Sequence, residues 1–322
     1  MTPYLLGRAL QSFLVLFLVS FASYALIGLM PGDPIDLMAT SDPNMTSEDV
    51  ARLKALQGLD QPLIDRYWQW LLAAVQGDFG YSRLYYKPAE DVLLPAVWNT
   101  VKLVGLATIL SLLIAIPVGV FAALKHRTWV DYLISFSAFV GFSTPAFWLA
   151  LMLILVFSVT LGWLPAGGTG EAEGGGFLVQ LTHLILPVTS LTILSVASHS
   201  RFVRGTMLEV LRQDYIRTAE AKGASKTRVI FKHALRNAMI PLVTIIALDI
   251  GFLLSGALIT ETVFAWPGMG KLIFDAIMGN DYNLALLGLM VITFTALMGN
   301  FLADIVYAKL DPRISLIKGA SS

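Results

Sequence analysis

Six stretches of the chain are apolar over about the length at which a helix crosses a bilayer: Ala9–Met30, Val101–Leu124, Leu133–Leu161, Leu184–His199, Met239–Ile259 and Leu284–Tyr307. A helix needs roughly 20 mostly apolar residues to span a hydrocarbon core. The pattern predicts an all-α, polytopic membrane protein with about six transmembrane helices. Composition agrees: 56% of residues are hydrophobic and 14% charged, whereas soluble domains carry about 25% charged residues. The third stretch is long and must tilt or overhang. The fourth is short and contains Pro187, so its helix begins earlier, near Leu178, or continues past Arg201 into water. Leu10–Met30 is too long for the apolar core of a signal peptide. A Pro-Gly-Asp-Pro turn follows it in place of a small-residue cleavage site, so it reads as a retained first helix. No internal repeat is visible, which argues against an inverted-repeat transporter.

Lys and Arg accumulate on cytoplasmic connections. The N-terminus, the second and fourth connections and the C-terminus fall on one side with fifteen basic residues, against six on the other. Both termini are therefore expected in the cytoplasm. Residues 31–99 then form an external helical subdomain, with ten acidic and five basic residues. Thr46 and Asp49 have the spacing of a capping pair opening a helix through Leu56. Asp60 followed by Pro62 marks a second start, for a helix through Trp68, Trp70 and Leu72 to Gln76. The tryptophans suit either an interfacial or packed helix or a docking face for an external partner.

Several chemistries are excluded. The chain has no cysteine, hence no disulfide, thiolate nucleophile or cysteine metal site, and its zero net charge offers nucleic acid nothing. A phosphate-cradling loop needs Gly-x-x-x-x-Gly-Lys-Ser/Thr. Here Gly270-Lys271 is followed by Leu272, and Ala265 stands five residues before Gly270. His126, His183, His199 and His233 show no pairing at three or four residues and read as helix-end or loop residues. No metal, cofactor or catalytic residue is expected in this chain.

Residues 201–238 are polar, basic and helix-forming, with nine basic and three acidic residues. Gln213–Lys222 suits a short helix, Gly223 its C-terminal stop, and Ser225 the cap of the next helix. The result is helix, glycine corner, helix on the cytoplasmic face. Charge retention and contact with anionic lipid would favour the same basic excess.

The run Asp214-Tyr-Ile-Arg-Thr-Ala-Glu-Ala-Lys-Gly223, then His233-Ala-Leu-Arg-Asn-Ala238 and Pro241, resembles the cytoplasmic "EAA" loop of binding-protein-dependent ABC importer permeases. Arg217-Thr218-Ala219 stands where the general loop has Glu-Ala-Ala, and Leu235-Arg236 where it has Leu-Pro. These departures are those of the dipeptide, oligopeptide and nickel permease family. Pro31-Gly-Asp-Pro34, Ser143-Thr-Pro-Ala-Phe147, Glu261-Thr-Val-Phe-Ala-Trp-Pro-Gly-Met-Gly270 and Asp311-Pro-Arg-Ile314 resemble that family in its order. The resemblance implies an ABC importer type I permease fold: one transmembrane permease domain over residues 1–322, with 201–238 as its cytoplasmic coupling loop. It implies a bacterial inner-membrane complex with a second homologous permease and an external substrate-binding protein. Two cytoplasmic ATPase subunits would bind ATP and Mg. Di- and oligopeptides are the leading substrates, with nickel complexes, glutathione and opine- or sugar-like solutes as alternatives.

A short helix wedged in a groove of the ATPase can transmit rigid-body motion. The resemblance places Asp214, Tyr215, Ile216, Arg217, Ala219, Ala221 and Gly223 there, with Tyr215, Ile216 and Ala219 at helical spacing for one face. Asp249 lies mid-way along the fifth stretch, where a charge costs on the order of 2.5–3.5 kcal/mol and calls for a cavity or partner. It reads equally as a pathway residue meeting a substrate ammonium, or as a structural hydrogen bond across a permease pair or a protonated group. Glu261, Trp266 and Gly268 are candidates for an external mouth, or for interfacial anchoring with Phe264. A self-contained secondary transporter or channel would carry paired intramembrane acids; only Asp249 and Asp304 qualify. A membrane enzyme has no catalytic constellation to support it.

Overall fold

The computed structural model describes residues 2–29, 46–56, 60–171, 174–252 and 257–310. The Pro31–Pro34 and Asp311–Ile314 motifs lie outside the described residues. The first helix, α1, is Thr2–Gly28. Two short helices follow, α2 (Ser47–Leu56) and α3 (Leu63–Val75). A hairpin of β1 (Tyr81–Ser82) and β2 (Lys87–Pro88) pairs Tyr81 with Pro88 and leads into α4, Ala89–Leu124. This one small antiparallel pair, too short to leave an alternating pattern in the sequence, is set in an otherwise helical chain among the described residues.

The third apolar stretch is not one long helix. It is split into α5 (Trp129–Ser143) and α6 (Ala146–Leu153), the latter continuing as a π-helix over Ile154–Thr160. The two segments bend by 99° at the break. Pro145 has no N–H to give and disfavours helical backbone in the residue before it; Thr144 is extended, with φ −80° and ψ 125°. The fourth stretch extends in both directions to α7, Phe177–Val210. Next come α8 (Asp214–Ala221), a turn at Lys226–Arg228, a π-helical stretch Val229–Leu235 and α9, Arg236–Phe252. The last elements are α10 (Leu258–Val263), α11 (Met269–Met278) and α12 (Tyr282–Leu310).

By length and composition α1, α4, α7 and α12 can each cross a membrane, and the bent pair α5–α6 adds a fifth crossing if it counts as one span. The fifth expected span is represented by α9, whose 17 residues end where residues 253–256 fall outside the description. The described residues thus account for four or five of the six expected crossings.

Packing centres on α4 against α7, with α12 against α9 and α1. Gly119 permits the closest approach: a Cβ there would lie 2.7 Å from the Ser200 carbonyl and from Val203. Two apolar clusters sit at opposite ends of α4. One joins Leu93 and Ala96 to Ile27, Met269, Ile273 and Leu284. The other joins Val120 and Ala123 to Val203, Met207, Ile216 and Leu242. At 1.5 Å per residue, Leu93 and Val120 stand about 40 Å apart along the axis. The hairpin end and the 201–238 loop are therefore at opposite ends of the bundle.

The hairpin end is tied down by polar contacts. Buried Asp281, just before α12, accepts from the Ser82 hydroxyl at 2.5 Å and from the Leu84 and Leu284 N–H groups. The Arg83 guanidinium donates to the Gly279 carbonyl. Thr46 and Asp49 form the expected reciprocal cap, which holds the Asp49 carboxyl below its ordinary range. Asp60 does not cap α3; Pro62 itself takes the cap position, without a side-chain bond. Buried Tyr67 of α3 shares a 2.7 Å hydroxyl bond with Ser20 of α1. Trp70 packs on Tyr24, ring centroids 5.7 Å apart, while Trp68 is half exposed. At the other end of α1, Arg8 pairs with Asp304 of α12 at 3.2 Å.

Candidate functional site

Three sets of side chains stand out from the apolar helix surfaces. The first lines a cavity of about 470 Å³ at the break between α5 and α6. Phe142, Thr144 and Ala146 come from the break, Thr108 from α4, Ser195, Ser198 and His199 from α7, and Asp249 from α9. The Asp249 side chain is 45% exposed, and its Oδ2 lies 2.9 Å from Nε2 of His199, which is 8% exposed. Nδ1 of His199 lies 3.4 Å from the Ser111 hydroxyl. Asp249 thus has both features that a charge in an apolar helix calls for, a cavity and a partner. That partner belongs to the same chain. His199 sits inside α7, not at a helix end, and so does His183, whose Nδ1 is 2.8 Å from the Gly167 carbonyl.

The second set is the α8 corner. Its backbone follows the sequence: Gly223 has φ +80°, a left-handed conformation suited to glycine, and its N–H donates to the Glu220 carbonyl at 2.9 Å. The Ser225 hydroxyl accepts from the Arg228 N–H at 3.4 Å. The side chains do not form the single face expected. Ile216 is buried, and Ala219 packs beside it against the cluster of Val120, Val203, Met207 and Val229. Tyr215, 100° round the helix, is 41% exposed, and Asp214, Arg217 and Ala221 also point outward. Burying a side chain of this size contributes about 1.5–3 kcal/mol, so α8 is seated on its own chain by Ile216. Close by, Asp131 at the start of α5 is buried and paired with Arg204 of α7, Nε to Oδ1 at 2.6 Å and Nη2 to Oδ2 at 2.8 Å. The Arg127 N–H adds a third donor at 3.0 Å, and His126 stands 3.4 Å away.

The third set surrounds Glu261. It is fully buried, and so are Phe264 and Trp266. The Thr100 hydroxyl donates to Glu261 Oε1 at 2.6 Å and in turn accepts from the Met269 N–H at 2.8 Å. The Lys271 N–H donates to Oε2 at 2.9 Å. Burial pushes the carboxyl above its ordinary range; the bonds from Thr100 and the backbone pull it part of the way back. The Trp266 indole donates to the Asn99 carbonyl at 3.1 Å, and Asn99 donates to the Pro267 carbonyl at 3.1 Å. A Cβ at Gly268 would collide with the Glu261 carboxylate. Glu261, Trp266 and Gly268 are thus placed inside the chain, where they staple the 261–271 segment to the start of the α4 membrane span.

The sequence of residues 115–316 matches the family described as binding-protein-dependent transport system inner membrane component, and residues 1–83 match the N-terminal part of that system's membrane component. The chain belongs to this permease family. Its relatives include the oligopeptide transport system permease protein AppB of Bacillus subtilis, 40% identical over 317 residues, covering 98% of this chain and 99% of the relative. The di/tripeptide transport system permease protein DppB of Pseudomonas aeruginosa is 39% identical, covering 96% of each chain. The glutathione transport system permease protein GsiC of Escherichia coli K12 is 36% identical, covering 98% of this chain and 99% of the relative. The mostly helical, polytopic fold is that of an ABC importer permease, an integral membrane subunit of a transport complex.

In this permease, sequence reasoning missed the partners more than the residues. Thr100 is 161 positions from Glu261, Arg204 73 from Asp131, and His199 50 from Asp249. One outcome follows for the staple. Glu261→Gln replaces one acceptor oxygen with an NH₂ group that must face either the Thr100 hydroxyl or the Lys271 N–H. A lost bond with an unsatisfied buried donor costs about 1–3 kcal/mol. The variant is expected to melt at lower temperature in detergent, and an unchanged melting curve would remove Glu261 from the staple.

Proposed function

We propose that this chain is a permease subunit of an ATP-driven importer of di- and oligopeptides in a bacterial inner membrane, with both termini in the cytoplasm. The single observation that carries the reading is the α8 corner: a short amphipathic helix, seated by Ile216 and ended by Gly223, with Tyr215 and Arg217 turned outward. Residues 1–322 act as one permease domain that pairs with a second, homologous permease. Two cytoplasmic ATPase subunits bind ATP and Mg and grip Asp214, Tyr215, Arg217 and Ala221, while Ile216 and Ala219 pass the movement into α4 and α7. An external binding protein delivers the ligand at the hairpin end, and the chain has no ATPase site of its own. Asp249 lines the pathway. The kinship with oligopeptide and di/tripeptide permeases supports peptides over other solutes; kinship with a glutathione permease is compatible, glutathione being itself a peptide.

The test is uptake of labelled trialanine by proteoliposomes holding the complete complex, with binding protein outside the vesicle face that carries residues 31–99. Uptake should require ATP on the opposite side. Uptake by this chain alone, without ATPase subunits, would support a secondary transporter or channel instead.

A further inference from the structure

Asp249 and His199 are buried very unequally. Had the carboxylate served only to satisfy the imidazole, both would lie inside the helix contact; instead the Asp249 side chain is 45% exposed and His199 8%. His199 Nε2 holds Oδ2 at 2.9 Å, while among the described residues Oδ1 has no hydrogen-bond partner. The imidazole is itself held from behind, with Nδ1 3.4 Å from the Ser111 hydroxyl oxygen, whose one proton is donated to the Thr108 carbonyl at 2.9 Å. The carboxylate is therefore fixed in one orientation with one oxygen open to the cavity. Around it stand the side chains of Thr108, Thr144, Ser195 and Ser198, and the Phe142 ring.

We propose that Asp249 and His199 form a subsite for a primary ammonium group, the free N-terminus of a peptide, Asp249 meeting the ligand and His199 acting as its positioning residue. This rests on the peptide-importer reading above. An ammonium carries three donors and no acceptor. The open Oδ1 is an acceptor, and a charged donor gains most against a carboxylate; the cavity hydroxyls can accept beside it. A ligand carboxylate or phosphate would meet like charge there. A metal ion would find one carboxylate and an imidazole whose two nitrogens are already engaged. The π face of Phe142 belongs to the same wall, with the Arg201 guanidinium 5.4 Å from its centroid. Arg201 itself is not among the described residues that line the cavity, where Asp249 is the acidic group.

The experiment measures equilibrium binding of trialanine and N-acetyl-trialanine to the assembled complex in nanodiscs, without binding protein or ATP. Wild type should bind trialanine about tenfold more tightly than its acetylated form, the contribution of one charge-assisted hydrogen bond. Asp249→Asn should bind the two alike while the complex assembles in normal yield. His199→Gln, which can still donate to Oδ2, should keep most of the preference, and His199→Leu should lose it. Equal binding of both peptides by wild type, binding of neither, or a preference that survives Asp249→Asn would overturn the subsite. The peptide reading fails separately: a complex that shows the amine preference but takes up no trialanine with ATP and binding protein refutes the transported class and leaves the amine subsite standing.

Discussion

Arg204→Ala is expected to lower the stability of the detergent-extracted protein by about 3 kcal/mol. Asp131 has 2% of its side chain exposed and takes two bonds from the guanidinium, at 2.6 and 2.8 Å. Removing one partner of a buried pair costs about 3–5 kcal/mol, because the other charge is left uncompensated. The lower end applies here, since the Arg127 N–H still donates to Asp131. Arg204→Lys should lose less, but not nothing: an ammonium cannot reproduce the two-pronged contact. Asp131→Asn with Arg204 intact should also be milder, because the arginine side chain is 27% exposed and reaches water. Thermal unfolding of the three variants, read side by side, checks this order. Equal melting of Arg204→Ala and wild type would mean that the pair holds nothing between α5 and α7.

Gly223→Pro is expected to abolish coupled transport while leaving the chain inserted and assembled. Proline fixes φ near −65° and removes the N–H; Gly223 sits at φ +80° and uses that N–H on the Glu220 carbonyl. A penalty of about 3 kcal/mol on the competent corner reduces its population by about two orders of magnitude. A bulky residue is opposed for a different reason than size. No atom lies within 4 Å of a Cβ built at Gly223, so there is room, and the cost is the left-handed backbone alone. That cost is about 1–2 kcal/mol. Gly223→Ala and Gly223→Leu should therefore behave alike, each with transport reduced several-fold. The measurement is peptide uptake per ATP hydrolysed by the reconstituted complex. Normal coupling in Gly223→Pro would remove the corner from the mechanism.

What was legible in the sequence had a local cause. Hydrophobic length set α1, α4 and α12, because the bilayer demands about 20 apolar residues in a row. Thr46 with Asp49, Ser225 and Gly223 announced their turns through bonds within three residues. The end of α7 was legible only as an alternative, a helix continuing past Arg201, because residues 201–210 continue a helix as readily as they leave one. Pro145 was in view, but a proline inside an apolar run kinks some helices and breaks others; here the extended Thr144 decided for a break, and the break opens the cavity. The spacing of Tyr215, Ile216 and Ala219 fits one face by periodicity alone. Only the core of α4, α7 and the 229–242 region shows that Ile216 and Ala219 belong to the inside. Glu261 was read without Thr100, and Asp249 stood alone for want of His199; both are bonds between distant helices that no spacing reveals.

In the proposed complex, other subunits move this permease through α8. The chain has no cysteine, so single cysteines can be placed without background. Tyr215→Cys puts one on the outward side of α8, and Ser47→Cys puts one on α2, in the 31–99 segment proposed to lie outside. With a short bifunctional reagent on the purified complex, Tyr215→Cys should cross-link to an ATPase subunit, with a yield that changes when ATP is added, and Ser47→Cys should not. An ATPase cross-link from Ser47→Cys, or none from Tyr215→Cys in a complex that transports normally, would contradict both the proposed orientation and the coupling role of α8.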